Sequence, residues 1–127
     1  MKKIFNILLI DDQPEITEIV QDLIEDRFDN IEVTTFNNPK EALKNLKDQK
    51  YVLIITDHHM PEMSGTSLLS KIRTQAHLNE HTPVVFLTAM EKEVQLEIEN
   101  KFPNVTVINK INHVQEIIDV IEKHIIN

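Results

Sequence analysis

Asp11, Asp12, Asp57, Thr88 and Lys110 each stand at, or just beyond, the end of a short apolar run rich in β-branched residues. The runs are Ile7 to Ile10, Tyr51 to Thr56, Val84 to Leu87 and Val105 to Ile108, and a further run, Ile31 to Phe36, lies between the first two. If these are parallel strands of one sheet, the five side chains meet on the rim where open α/β sheets bind ligands. Three carboxylates on one rim repel each other, and a protein relieves this by raising a pKa or binding a cation. A hard divalent ion suits them, because Mg²⁺ is held by one or two carboxylates together with waters and phosphate oxygens. The amine and the hydroxyl remain to hold an anion. Such a site fits phosphoryl transfer to a carboxylate, with Asp as the nucleophile and an acyl phosphate as the product. Taken singly, each residue reads more simply as a helix cap or a solvated group, with Asp12 near Pro14 as the example. The functional reading rests on the five together.

The elements that must position these residues follow from periodicity. Four of the runs are nearly continuous in apolar residues, as parallel strands covered on both faces require, whereas Ile31 to Phe36 alternates with Glu32 and Thr34 like an edge strand. Ile16, Ile19, Val20, Leu23 and Ile24 recur at helical spacing, as do Val114, Ile117, Ile118, Ile121 and Ile125. Asn38 is placed to cap a second helix with Pro39 at its first position, and Asn112 with Gln115 marks the start of the last helix. Leu68, Leu69 and Ile72 mark a third helix after Gly65, and Glu91 to Lys101 carries the weakest helical pattern. The order is strand then helix, five times, without a linker or repeat. It predicts a single domain over residues 1–127, an α/β doubly wound parallel sheet of flavodoxin-like order 2-1-3-4-5.

Composition narrows the function further. The 127 residues carry 13 Lys and Arg against 21 Asp and Glu, a formal net charge of -8. That sign opposes direct nucleic-acid binding. There is no Cys, which excludes disulfides and thiolate metal sites. No apolar run approaches the ~20 residues of a membrane span, and the start lacks the cleavage pattern of a signal peptide. The expectation is a cytoplasmic protein without a membrane partner.

The chain resembles the receiver domain of two-component response regulators, of the chemotaxis-regulator type, over essentially its whole length. Leu9-Ile10-Asp11-Asp12, Asp57-His58-His59-Met60-Pro61-Glu62-Met63-Ser64-Gly65, Pro83 to Ala89 and Lys110 carry the resemblance. It implies that Asp57 is the phosphoacceptor, and that Asp11, Asp12, Asp57 and the backbone carbonyl of His59 hold Mg²⁺. Thr88, Ala89 and Lys110 would contact the phosphoryl group and move with it. The implied role is a switch in a phosphorelay and not a turnover enzyme, with a sensor histidine kinase or histidine phosphotransfer protein as donor. A downstream protein would dock on the face from the fourth to the fifth helix, and a homodimer stays open. With no output domain in the sequence, either a stand-alone regulator or the N-terminal piece of a longer protein is expected.

Two positions depart from the family pattern. Ile111 follows the lysine where the family usually has proline after a cis bond, and a cis bond before a non-proline residue costs ~2.5–4 kcal/mol, so a trans bond is expected. Val107 stands where the family tends to place an aromatic ring that turns inward on activation. These departures support an alternative, a receiver-like interaction module that works without phosphorylation. His77-Leu78-Asn79-Glu80-His81 matches an inverted zinc-peptidase motif, but Asn79 and Pro83 predict a loop there and not the helix it needs. A haloacid-dehalogenase-like phosphatase would need an acid at Gln13. His58 and His59 adjoin the acceptor, at positions that in receiver domains vary and tune acyl-phosphate lifetime; His58 reads as packing. Glu91, Glu93, Glu97 and Glu99 read as a wet helix face. With Gly65 as the only glycine, left-handed turns elsewhere must use Asn or Asp.

Overall fold

The computed structural model describes residues 3–98, 101–110 and 114–125. Five strands, β1 (Phe5–Ile10), β2 (Ile31–Phe36), β3 (Leu53–Thr56), β4 (Val84–Thr88) and β5 (Val105–Asn109), alternate with α1 (Pro14–Arg27), α2 (Pro39–Leu46), α3 (Gly65–Gln75), α4 (Glu91–Ile98) and α5 (Val114–Ile125). The strands form one sheet in the order β2-β1-β3-β4-β5, every neighbouring pair parallel. This is the predicted order.

Side chains alternate across the pleat, so each central strand feeds two cores. Leu8, Ile10, Ile54, Val84 and Phe86 point to one side and pack with Leu43, Leu46, Leu68, Leu69, Ile72 and Val94 from α2, α3 and α4. Ile7, Leu9, Leu53, Ile55, Val85 and Leu87 point to the other and meet Val20, Ile24, Ile117 and Ile121 from α1 and α5. Each such side chain contributes roughly 1.5–3 kcal/mol on burial. The two-sided burial explains why β1, β3 and β4 read as unbroken apolar runs.

β5 departs from the expected double coverage. It is the second edge of the sheet, with Thr106 exposed, Val105 and Val107 half-buried and only Ile108 fully buried. Its apolar sequence concealed this, because Thr106 is as compatible with a covered strand as with an edge. Strand boundaries also move, with β1 starting at Phe5 and not Ile7 and β5 running through Asn109. β3 starts at Leu53 and not Tyr51, and β4 runs through Thr88, making Thr88 the last residue of the strand and not the one after it.

Asn38 caps α2 as expected, its Oδ1 accepting from the backbone N–H of Lys40 and Glu41. Asp12 does not cap α1. Gln13 occupies that position without a side-chain cap bond, and Asp11 Oδ1 accepts the Gln13 N–H at 2.9 Å. Asn112, Ile111 and Glu99 lie outside the described residues, so the cap, the bond after Lys110 and the last acid of that face do too.

Asn79 was read as a helix breaker and does more than that. It closes a short 3-10 turn, His77–Asn79, and is fully buried. Its Oδ1 accepts from Tyr51 N–H and from the Thr82 hydroxyl, both at 3.0 Å, while its amide donates to Leu46 and Gln49 carbonyls at 2.7 Å. One side chain thereby ties the end of α2 to the starts of β3 and β4. Asn79→Leu leaves those backbone groups buried without partners and is expected to lower stability by about 3 kcal/mol in urea unfolding. A loss below about 1 kcal/mol would mean the groups find other partners or water. His81 is 85% exposed in its side chain and pairs with Glu80, so the zinc-peptidase pattern has no shared face to act on.

Candidate functional site

The parallel register brings the strand ends level. Ile10 pairs with Thr56 across β1 and β3, Thr56 with Phe86 across β3 and β4, and Thr88 with Asn109 across β4 and β5. The residues that follow these pairs therefore share one rim. Asp11 is almost wholly buried, held through its N–H to Phe36 and through its carbonyl to the Asn37 amide. Asp57 is held by its N–H to Ile10, and its Oδ1 accepts the His58 N–H at 2.7 Å. Carboxylate oxygens of Asp11, Asp12 and Asp57 lie within 4.8 Å of one another.

The Lys110 amine reaches into this group. It donates to Asp11 Oδ2 at 2.7 Å and to Asp57 Oδ2 at 3.2 Å, and its backbone N–H bonds the Thr88 carbonyl. Burial alone would lower the Lys110 pKa; the hydrogen bond to Asp11 and the charges of Asp57 and Asp11 outweigh it, and the net shift is upward. Asp12 is also pushed up, first by burial and then by the neighbouring charge of Asp11, with Asp57 adding to it. One ammonium against three carboxylates leaves the rim electron-rich.

Thr88 is buried, and its hydroxyl accepts the Met90 N–H at 3.0 Å, holding the β4–α4 connection in a local turn. Ala89, next along, is exposed. Val107 lies opposite Phe86 and packs, half-buried, against the core on the α3 and α4 side. His59 is exposed and His58 almost wholly buried. Met60 and Met63 are partly buried and pack against the core on the α3 side.

The segment after Asp57 is shaped by a close approach. Gly65 N–H donates to His58 carbonyl at 2.7 Å, and a Cβ at Gly65 would lie 2.4 Å from the Asp57 carbonyl oxygen. Glycine is needed here for space. Left-handed backbone occurs at Asn104, which fits the expectation, and at Glu62, which does not. A non-glycine residue in that region costs roughly 1–2 kcal/mol, so the loop that follows Asp57 stores strain.

A family model described as the response regulator receiver domain matches residues 7–122. The chain belongs to that family. Chemotaxis protein CheY-3 of Vibrio cholerae is 34% identical over 102 residues, spanning 76% of this chain and 72% of that protein. The transcriptional regulatory protein CpxR homolog of Haemophilus influenzae is 35% identical over 88 residues. The chain spans only 36% of the length of that relative, and 38% of response regulator Rre1 of Synechocystis. Among solved structures, chemotaxis response regulator CheY4 of Vibrio cholerae superposes with a TM-score of 0.82 at 22% identity, covering 97% of this chain and all of that one. Response regulator TrrA of Thermotoga maritima, in complex with Mg²⁺ and beryllium fluoride, gives 0.80 at 25% identity, covering 96% of this chain and 100% of that one. This receiver domain therefore has the fold and the two-component signalling context that the motif implied.

One part of the rim escaped the sequence. Glu93 and Glu97 of α4 turn toward His58, His59 and Thr66, with His59 Nε2 at 3.2 Å from Glu93 Oε2 and the Thr66 hydroxyl donating to Glu97. The i, i+4 spacing of the two acids was the available signal, since it puts both on one helix face.

Proposed function

We propose that this receiver domain accepts a phosphoryl group on Asp57 in a Mg²⁺-dependent step and thereby changes its affinity for a protein partner. The observation that carries the reading is the convergence of the Asp11, Asp12 and Asp57 carboxylates with the Lys110 ammonium. The donor set is all oxygen and partly open, which fits Mg²⁺. Asp11, Asp12 and Asp57 would hold the ion, with the His59 carbonyl as a further ligand. The ion would neutralise the rim and offset the charge of the incoming phosphoryl oxygens.

A carboxylate oxygen of Asp57 attacks the phosphorus of a phosphohistidine or a small acyl phosphate in line. The P–O bond to Asp57 forms as the bond to the donor's imidazole nitrogen or carboxylate oxygen breaks, and that electron pair leaves with the donor. Lys110 is already hydrogen-bonded to Asp57 and is placed to pair with the new dianion. The Thr88 hydroxyl exchanges its Met90 contact for a phosphoryl oxygen, drawing the turn at Ala89 inward. A shift of this turn is passed to α4, β5 and α5, the face on which a downstream protein docks. The donor is a sensor histidine kinase or a histidine phosphotransfer protein, residues 1–127 act as one receiver unit, and the setting is cytoplasmic. Among the described residues no helix is long and apolar enough to cross a membrane.

A second reading, an interaction module that works without phosphorylation, is favoured by Val107, which offers no ring to turn inward. Incubation with acetyl phosphate and Mg²⁺, followed by intact-mass measurement, separates the two. One added phosphoryl group is expected, and none when EDTA is present from the start of the incubation; an unchanged mass under conditions that label other receivers would favour the second reading. Lys110→Ala is expected to tighten Mg²⁺ about tenfold in calorimetry, because ~1.4 kcal/mol of relieved repulsion between the ammonium and the ion suffices. Equal or weaker binding would mean the lysine organises the carboxylates more than it competes.

A further inference from the structure

A second cluster of donor atoms is built on the two residues that follow Asp57 and on α4. His58 is 2% exposed, and its Nε2 lies 3.9 Å from Glu93 Oε1 and 3.7 Å from Glu97 Oε1. His59 Nε2 lies 3.2 Å from the other Glu93 oxygen, and the two imidazoles are 4.8 Å apart between centroids. One donor atom from each of His58, His59 and Glu93 lies within 4.8 Å of the others. The buried His58 Nδ1 has no hydrogen-bond partner.

An ion pair alone does not account for this arrangement. The two His58 separations exceed hydrogen-bond length. Ligands around a tetrahedral zinc ion, at 2.0–2.2 Å from the metal, stand roughly 3.3–3.5 Å apart, within the spread seen here. The His58 nitrogen that faces the two glutamates, Nε2, stands beyond hydrogen-bond length of both, and a metal between the rings and the carboxylate would give it a partner.

We propose that His58, His59 and Glu93, bordered by Glu97, form a site for a divalent transition metal of the zinc class, which fastens α4 to the acceptor segment. Imidazole selects zinc, nickel or copper over Mg²⁺, whereas the neighbouring all-oxygen site selects the reverse, so the two sites take different ions. Among its described residues α4 buries only Val94, and a bridging ion would add a tether to a lightly held helix. The site stands independently of the phosphoacceptor reading.

The test is calorimetric titration with Zn²⁺ in excess Mg²⁺, on the intact chain and on His59→Ala, Glu93→Gln and Asp12→Asn. Residues 59 and 93 are both solvent-accessible, so neither variant threatens the core. One Zn²⁺ per chain is expected. It should persist in Asp12→Asn and weaken at least ~10-fold in both His59→Ala and Glu93→Gln, since even an outer partner of a metal ligand is worth that much. Zn²⁺ should also slow amide exchange across Glu91–Ile98 in the intact chain and not in His59→Ala. Zn²⁺ that Mg²⁺ displaces, that vanishes with Asp12→Asn, or that ignores both α4-side variants would place the ion among the aspartates and overturn the proposal. Absence of binding would overturn it as well.

Discussion

Asp57→Asn is expected to abolish phosphoryl uptake from acetyl phosphate. The amide is close to the carboxylate in shape, so the His58 N–H keeps an acceptor and the backbone at the end of β3 keeps its place. What disappears is the nucleophilic charge, since a neutral amide oxygen does not form a stable acyl phosphate. The substitution also removes one of three like charges from the rim, and Lys110 keeps its shorter contact, to Asp11. Stability is therefore expected to hold or rise, by up to about 1 kcal/mol. Intact mass and urea unfolding of the same preparation check both halves. Labelling that persists at the unsubstituted level would move the acceptor to Asp11 or Asp12.

Gly65→Ala is expected to be the most damaging single-methyl change near the site. Its Cβ would stand 2.4 Å from the Asp57 carbonyl oxygen, 2.9 Å from His58 Cα and 2.7 Å from a Phe86 ring carbon. Two of these are backbone atoms that cannot rotate away, and Phe86 is fully buried. Relief requires α3 to withdraw from β3, breaking the Gly65 to His58 hydrogen bond. Overpacking of this kind costs about 3 kcal/mol, a large share of the 5–15 kcal/mol that holds a domain together. The urea midpoint should fall accordingly, and labelling of Asp57 should slow because its carbonyl is the nearest atom displaced. A change within about 0.5 kcal/mol would show that the helix start yields without strain.

The sheet and its order were readable because burial on two faces forces unbroken apolar runs, and an edge strand with one exposed face breaks that pattern, as Glu32 does in β2. β5 was misjudged because an edge strand can keep apolar residues wherever a core still reaches it, Val107 on the α3 and α4 side and Ile108 on the α1 and α5 side, while Thr106 between them is exposed. The acidic and basic members of the rim were readable because strand ends in a parallel sheet share one side. Their partners were not. That Lys110 leans closer to Asp11 than to Asp57 depends on the path of the chain after β5, which no local pattern encodes. Likewise Asn79 looks like a turn residue in sequence, and only its burial turns four hydrogen bonds into a structural tie. Glu62 in a left-handed conformation broke the rule that Asn or Asp would serve, because the tight return from Asp57 to Gly65 fixes the backbone there whatever the side chain.

The position of Lys110 also bears on the family departures. Ile111 in place of proline does not turn the amine away, since it lies within hydrogen-bond distance of two of the carboxylates. Val107 remains the stronger departure, because in the proposed switch it would bear on how a change at Thr88 is passed on and not on whether a phosphoryl group is taken up.

A crystal structure of the chain with Mg²⁺ and beryllium fluoride, which imitates an aspartyl phosphate, decides whether Asp57 is the acceptor. A fluoride complex on a carboxylate oxygen of Asp57 is expected, with Mg²⁺ against Asp11, Asp12 and Asp57. Lys110 Nζ and Thr88 Oγ1 should each lie within hydrogen-bond distance of a fluorine, and the Thr88 to Met90 contact should be broken. An Asp57 that binds neither ion nor fluoride at saturating concentrations, with the amine still paired to Asp11, would contradict it.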